Sequence, residues 1–181
     1  SPDIHVDIFI VEPTAERNYY TLVTSGMGAH RMNVPKELAE YKLERAEIVV
    51  YLPADWNISD HEEKNYWPLR WLKILARLPL EEDSWLGWGH SVPNGKPFAE
   101  NTQLSSVLLI NPENVEEGAA VCQLPNGEEV NFYQMIPLYE EEVNFKIQNG
   151  AETLLGKMGE ISAVVDIHRL NVCEGFGRPK E

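Results

Sequence analysis

"AEIVVYLP", from Ala46 to Pro53, is apolar along almost its whole length and stops at a proline. A run of this kind reads as a strand buried inside a sheet. Upstream, "HVDIFIVEP" (His5 to Pro13) alternates: Ile4, Val6, Ile8 and Ile10 fall on one face, and His5, Asp7 and Phe9 on the other. "NYYTLVTSGMG" (Asn18 to Gly28) is rich in aromatic and β-branched residues and ends in Gly26 and Gly28. These are two further strands, joined by a proline-containing turn. Between them and Ala46, "VPKELAEYKLE" fits a short helix with Pro35 in its first turn.

Downstream, "YWPLRWLKILARLPL" carries the strongest helical pattern. Trp67, Trp71, Ile74, Leu75 and Leu78 follow one buried face, Pro68 suits an early turn, and Pro79 halts the pattern. Residues 79–103 hold no period and read as a long loop, and Leu104 to Ile110 as a strand. Asn126-Gly127 between two β-prone runs marks a hairpin. Pro137 breaks that ladder, and a helix runs on to about Asn149, with Gly150 as its stop. "AETLLGKM" forms a short helix, and "ISAVVDIHRL" fits a strand or a helix equally. Strands and helices mix without a regular βαβ rhythm. The expected fold is α+β: a mixed, largely antiparallel sheet flanked by helices, in a single domain over residues 1–181.

The chain has 29 acidic against 15 basic residues, a net charge of −14. That excludes a phosphate-binding footprint and hence nucleic acid as a partner, and it suits a basic protein partner. Cys122 and Cys173 lie far apart and outside any C-x-x-C, so free, buried thiols in a reducing cytoplasm are expected. No apolar run approaches 18 residues and no secretory leader is read, so no membrane span is expected. The sequence opens on Ser1 rather than Met, which leaves room for a preceding segment.

Glu140, Glu141 and Glu142 form a run of three carboxylates at the expected start of a helix. Successive helical residues point about 100° apart, so the three cannot converge on one metal. Their geometry suits a helix N-terminus, where negative charge is favoured, with Glu142 placed to pair with Lys146. Other candidate chemistry is sparse. His5-x-Asp7 has a spacing compatible with two metal ligands, "DHEEK" lacks the H-E-x-x-H spacing, and "GMG" lacks the remainder of a phosphate loop. His90, in "GWGHSVPNG", sits in a glycine- and tryptophan-rich loop. No cofactor or metal is called for.

Two features point to binding. Trp85 and Trp88 flank Gly87 in that loop, and tryptophan dominates binding hot spots. Arg70, Lys73 and Arg77 make a basic stripe on the expected helix, away from its leucines.

Taken in order, "HVDIFIVEPT", "NYYTLVTSGMG", "AEIVVYLPADW", "YWPLRWLKILARLP", "GWGHSVPNG" and "VNFYQMIPLYEEEVNF" resemble the suppressor of fused-like domain, in its compact bacterial single-domain form, from about His5 to Leu170. The resemblance implies a mixed sheet with flanking helices and no catalysis. It implies a protein or peptide partner: animal relatives clamp a short transcription-factor peptide that adds as a strand, and bacterial relatives are viewed as immunity proteins that neutralise toxins. Family contacts fall on positions that match Leu78 and the Trp85 to His90 region.

The leading functional reading is therefore a non-enzymatic, cytoplasmic protein-binding domain, an immunity protein for a basic toxin. Its surface would draw on Arg70, Arg77, Leu78, Trp85, Trp88, His90, Glu140 and Glu141. Two other readings stand beside it: a hydrolase using His90 with His5, Asp7 or a glutamate, and a peptide-binding adaptor working by strand addition at an open sheet edge.

Overall fold

The computed structural model describes residues 4–160 and 163–178. Strands β1 (Asp7–Val11) and β2 (Tyr19–Ser25) lead through short 3₁₀ turns at Met27–Ala29 and Lys36–Tyr41 into β3 (Arg45–Pro53). Helix α1 (Glu63–Glu81) follows, then β4 (Ser91–Pro93), β5 (Ser106–Ile110), β6 (Val121–Gln123) and β7 (Glu129–Leu138). Helices α2 (Glu140–Asn149) and α3 (Ala151–Met158) come last. The sheet has seven strands in the order β1-β2-β3-β7-β5-β4, with β6 also paired to β7. Only β3 and β7 run parallel; every other described pair is antiparallel.

The apolar run at Ala46 is apolar because β3 is central and covered on both faces. Ala46, Ile48, Val50 and Leu52 point into one core with Leu72 and Leu75 of α1 and with Val107, Leu109, Tyr133 and Met135 of β5 and β7. On the opposite face Leu108, Ile110 and Leu138 meet Val143, Leu154 and Met158 of α2 and α3, with Cys173 beyond them. The first core holds an aromatic stack in which Trp67 lies 4.5 Å from Phe98, nearly parallel, with Trp71 edge-on to the same ring. Each fully buried large side chain contributes about 1.5–3 kcal/mol.

Several expectations need correction. Helix α1 begins at Glu63 and runs through both Pro68 and Pro79. Pro79 falls in the last turn, so the bond to the Leu75 carbonyl that it gives up lies close to the end of the ladder and the helix runs only to Glu81 beyond it. The buried face comprises Trp67, Pro68, Trp71, Leu72, Leu75, Ala76 and Pro79, whereas Ile74 is exposed and Leu78 only partly buried. Pro137 lies inside β7, opposite Val107. Pairing of β7 with β3 ends at Gln134, so the missing N–H at Pro137 has no β3 partner to disappoint. The loop after Pro79 contains β4, which closes one edge of the sheet. In the segment "ISAVVDIHRL", Ile161 and Ser162 lie outside the described residues, and 163–170 is neither strand nor helix. Cys173 is buried, with burial raising its thiol pKa, but Cys122 is exposed on β6. The short helix after Val34 is 3₁₀, and Asn126-Gly127 closes the expected hairpin between β6 and β7.

Glu47 explains the glycines of "TSGMG". Its buried carboxylate accepts hydrogen bonds from the Thr24 hydroxyl and from the N–H groups of Gly26 and Gly28, both at 2.9 Å. Gly26 has φ of +117°, and a Cβ there would lie 2.2 Å from the His5 carbonyl oxygen. Glycine is therefore required where this turn meets the start of the chain.

Candidate functional site

The "GWGH" turn is fixed to the sheet from both ends. Gly89 donates to the Leu109 carbonyl at 2.8 Å, and the Leu109 N–H donates to the His90 carbonyl at 2.9 Å. His90 Nδ1 accepts from the Gly87 N–H at 3.2 Å, and its ring stands edge-on to Trp85 at 4.4 Å. Gly87 has to be glycine because a Cβ would come 2.7 Å from Trp85. Burial, then the nearby Lys146 charge, lower the His90 pKa from its ordinary value. Lys146 of α2 donates to the Ser91 hydroxyl at 3.0 Å, bridging α2 to β4.

This turn sends its two tryptophans in different directions. Trp85 is partly buried and packs against the α1 core. Trp88 is 40% exposed and stands at the lip of a groove on the opposite, α2–α3 face. The groove has a volume of about 760 Å³. Ile110 and Ile136 line it from the sheet, Leu155 and Met158 from α3, and Leu170 and Val172 from the C-terminal segment. Glu113 and Asp166 supply carboxylates among its lining residues. Asn111, Gln134, His168 and Arg169 line it as well, so the surface is mainly apolar with polar groups among its walls, which suits a largely apolar ligand or segment.

The C-terminal wall is held by polar contacts. Glu142, fully buried, accepts from Arg169 Nη1 at 2.8 Å and Nη2 at 2.5 Å, from the Tyr139 N–H at 2.9 Å and from the Val172 N–H at 3.1 Å. Arg169 also donates to the carbonyls of Pro137 and Leu170 and lies over the Tyr139 ring. Glu141 accepts from Asn171 at 3.1 Å and pairs with Arg178. Hydrogen bonds from Gln134 to the Ala163 carbonyl, from Thr102 to the Ile167 carbonyl and from the Val165 N–H to the Tyr51 carbonyl seat the preceding stretch. The glutamate run thus caps α2 and clamps the chain end. Glu142 pairs with Arg169, and Lys146 is directed to Ser91 instead. Glu140 is exposed.

The candidate residues do not form one surface. Arg70, Arg77 and Leu78 lie on α1, on the other side of the sheet from the Trp88 groove. Arg70 forms a two-pronged pair with Glu63 at 2.7 and 2.8 Å and lies over Tyr66, and Arg77 donates to the Lys73 carbonyl. His5 and Asp7 face each other at 3.2 Å beside β1, at the end of the sheet opposite β4 and His90. Of the pairings the hydrolase reading offered, those of His90 with His5 or Asp7 are therefore not made. No group of three or more potential metal ligands occurs among the described residues, and no described helix is long and apolar enough to cross a membrane. The groove's own lining went unread in the sequence. Leu155 and Met158 sit in a short apolar helix whose signal was visible, but Ile110, Ile136 and Val172 carry none that separates groove from core.

The family model for suppressor of fused protein matches residues 2–170. An uncharacterized protein of Ureaplasma parvum is 28% identical over 167 residues, covering 92% of this chain and 78% of that protein. The crystal structure of a suppressor of fused homolog from Neisseria gonorrhoeae superposes with a TM-score of 0.66 at 20% identity, over 92% of this chain and 78% of that one. A Sufu–Fu complex matches with a TM-score of 0.63 at 14% identity, over 92% and 76%. Drosophila Suppressor of Fused gives 0.63 at 15%, over 92% of this chain and 42% of that one.

Proposed function

The chain belongs to the suppressor of fused family, and on that premise we propose that it is a non-enzymatic domain that binds an apolar segment of a basic protein in the groove beside Trp88. The observation that carries this reading is the groove itself, about 760 Å³, with a 40% exposed tryptophan at its lip. A Sufu–Fu complex among the similar structures supports a protein as the ligand. In this reading Trp88 makes the direct contact, and Trp85 and His90 hold its turn. Glu140, exposed at the α2 N-terminus, adds negative charge, whereas Glu141 is already engaged by Arg178 and Asn171. Arg70, Arg77 and Leu78 contribute only if the partner wraps around to the α1 face.

The net charge of −14 favours a basic partner and faster, salt-sensitive association. A toxin that acts on nucleic acid has such a basic surface, and its neutralisation in the cytoplasm is the role we assign. The test is to purify toxin-like products of neighbouring genes and titrate them calorimetrically with wild type and with Trp88→Ala. Binding that weakens about tenfold or more in the folded variant is expected. Toxins left fully active by the wild-type chain would overturn the toxin assignment. A partner held equally by Trp88→Ala would overturn the groove.

A further inference from the structure

A second cavity, of about 350 Å³, opens at the end of β3 beside the start of α1. Val165 and Asp166 line both it and the Trp88 groove, so the two share a wall. Its other walls are tied down. The Trp56 indole N–H donates to the Asn65 carbonyl at 2.9 Å, and the Asn65 amide donates to Asp60 at 2.7 Å. The Val165 N–H donates to the Tyr51 carbonyl, and the Thr102 hydroxyl to the Ile167 carbonyl. These donors are thus spent inside the protein, and Lys64 is paired with Glu62 at 3.2 Å. Acceptors remain. Asn101 lines the cavity, and its Oδ1 is buried with no hydrogen-bond partner among the described residues. Asp55 makes no hydrogen bond or ion pair among them. The Asp166 carboxylate accepts the His168 N–H on one oxygen and has no described partner on the other. Leaving a buried acceptor unmade is costly, so the Asn101 oxygen calls for a donor from outside the chain.

We propose that this cavity binds a guanidinium group, carried by an arginine side chain of a partner or by a small free guanidine. A guanidinium is all donor, with five N–H groups in a planar fork that matches carboxylates two at a time. Asn101 would take one N–H inside the cavity, Asp55 and Asp166 would take others, and Trp56 adds an aromatic wall. Charge agrees with this occupant. Two carboxylates line the cavity against one lysine, which Glu62 already neutralises. The positive end of α1, which alone would disfavour a cation, is offset by Asp60, Glu62 and Glu63. An ammonium brings three donors and a tighter hydration shell, so it fits less well. The volume is at the small end of the roughly 300–1,000 Å³ of ligand sites, which suits one side chain rather than a length of chain. The site stands on its own residues; that its arginine belongs to the segment in the groove rests on the reading above.

The test titrates the isotope-labelled full chain at neutral pH with N-acetyl-arginine methylamide and with its citrulline and lysine counterparts, followed by two-dimensional NMR. Saturable shifts of the Asn101 amide, the Trp56 indole and the Val165 to Ile167 N–H signals are expected. The citrulline and lysine compounds should bind about tenfold more weakly or worse. Asp55→Asn with Asp166→Asn should weaken arginine binding about tenfold, and so should Asn101→Leu. Asp55 and Asp166 are exposed, so the paired variant keeps the fold, and spectral dispersion verifies the fold of Asn101→Leu. Agmatine and an apolar peptide ending in arginine separate the two sources. A peptide that binds more tightly than the blocked arginine, and loses that gain in Trp88→Ala, puts the guanidinium on a groove-bound partner. Agmatine that binds more tightly than the peptide puts it on a free small molecule. Blocked arginine should bind Trp88→Ala as it binds wild type, so a failure of the groove leaves this site standing. Shifts without saturation would overturn the proposal. So would equal binding by the citrulline or lysine compound, or undiminished binding by the folded Asp55→Asn/Asp166→Asn chain.

Discussion

Removing one member of the Glu142–Arg169 pair tests whether the clamp on the chain end is structural. Glu142 has no exposed surface and the Arg169 side chain is 8% exposed. The carboxylate takes two hydrogen bonds from the guanidinium and two from backbone N–H groups. Glu142→Ala strips the guanidinium of its counter-charge and leaves it only the carbonyls of Pro137 and Leu170, at 2.8 and 2.9 Å. Breaking a buried pair from one side costs about 3–5 kcal/mol, because the surviving charge stays buried. Arg169→Met should cost a similar amount, with the carboxylate left to the Tyr139 and Val172 N–H groups. The double change Glu142→Leu/Arg169→Met buries no charge, so its cost should fall below the sum of the singles by about 1–3 kcal/mol. Urea unfolding of the four proteins gives these values from shifts in midpoint at constant slope. Hydrogen exchange should show the Val165 and Val172 amides losing protection first in the single variants. Singles within about 0.5 kcal/mol of wild type, as for a surface pair, would refute the reasoning, and strictly additive costs would refute the coupling.

Three further outcomes follow from the same structure. Gly26→Ala should destabilise by more than the roughly 1–3 kcal/mol of a strained backbone alone, because its Cβ meets the His5 carbonyl. Gly95→Ala, at φ +80° with open space around it, isolates the backbone component, and urea midpoints compare the two. His90 has a lowered pKa, so the unfolded chain binds its proton more readily. Its contribution to stability is complete above the ordinary value of 6.5 and is lost as pH falls through the folded value, a slope that His90→Gln should remove from unfolding curves taken between about pH 8 and 5. The Glu128 pKa is lowered from 4.5 to about 2, first by the Arg31 hydrogen bond and then by that of Asn126. Its stabilising effect is therefore present above 4.5 and lost as pH falls through about 2, and a carbon-detected NMR titration of Arg31→Ala should move the value back up.

Much of the fold could be read locally. The run at Ala46 announced a covered strand because both of its faces are packed, and Asn126-Gly127 announced a hairpin because its turn takes positive φ at Gly127. The misreadings share a physical cause. What a proline costs depends on what its missing N–H would have bonded: at Pro137 the β3 ladder has already ended, and at Pro79 one helical bond is given up close to the end of α1. The exposure of Ile74 follows from where α1 meets the sheet, which spacing alone does not fix. The partner of Glu142 lies 27 residues away rather than at Lys146, and no local pattern pairs them. Trp85 and Trp88 look equivalent in sequence, yet one packs on the α1 core and the other lines the groove, a difference no local pattern marks.

The parallel union of β3 with β7 also sets a timetable for the chain. Arg45 is joined to Glu128, 83 residues further on, and the centre of the sheet lies between them. During synthesis β1, β2 and β3 leave the ribosome as a meander, and β3 waits with one long apolar edge unpaired until β7 arrives. Contacts so distant in sequence are closed late and slowly, and an unpaired strand is most prone to aggregate while it waits. β7, which completes the shelter of β3 in the finished molecule, is thus made long after it, and a chain halted before Val130 would carry β3 without its central partner.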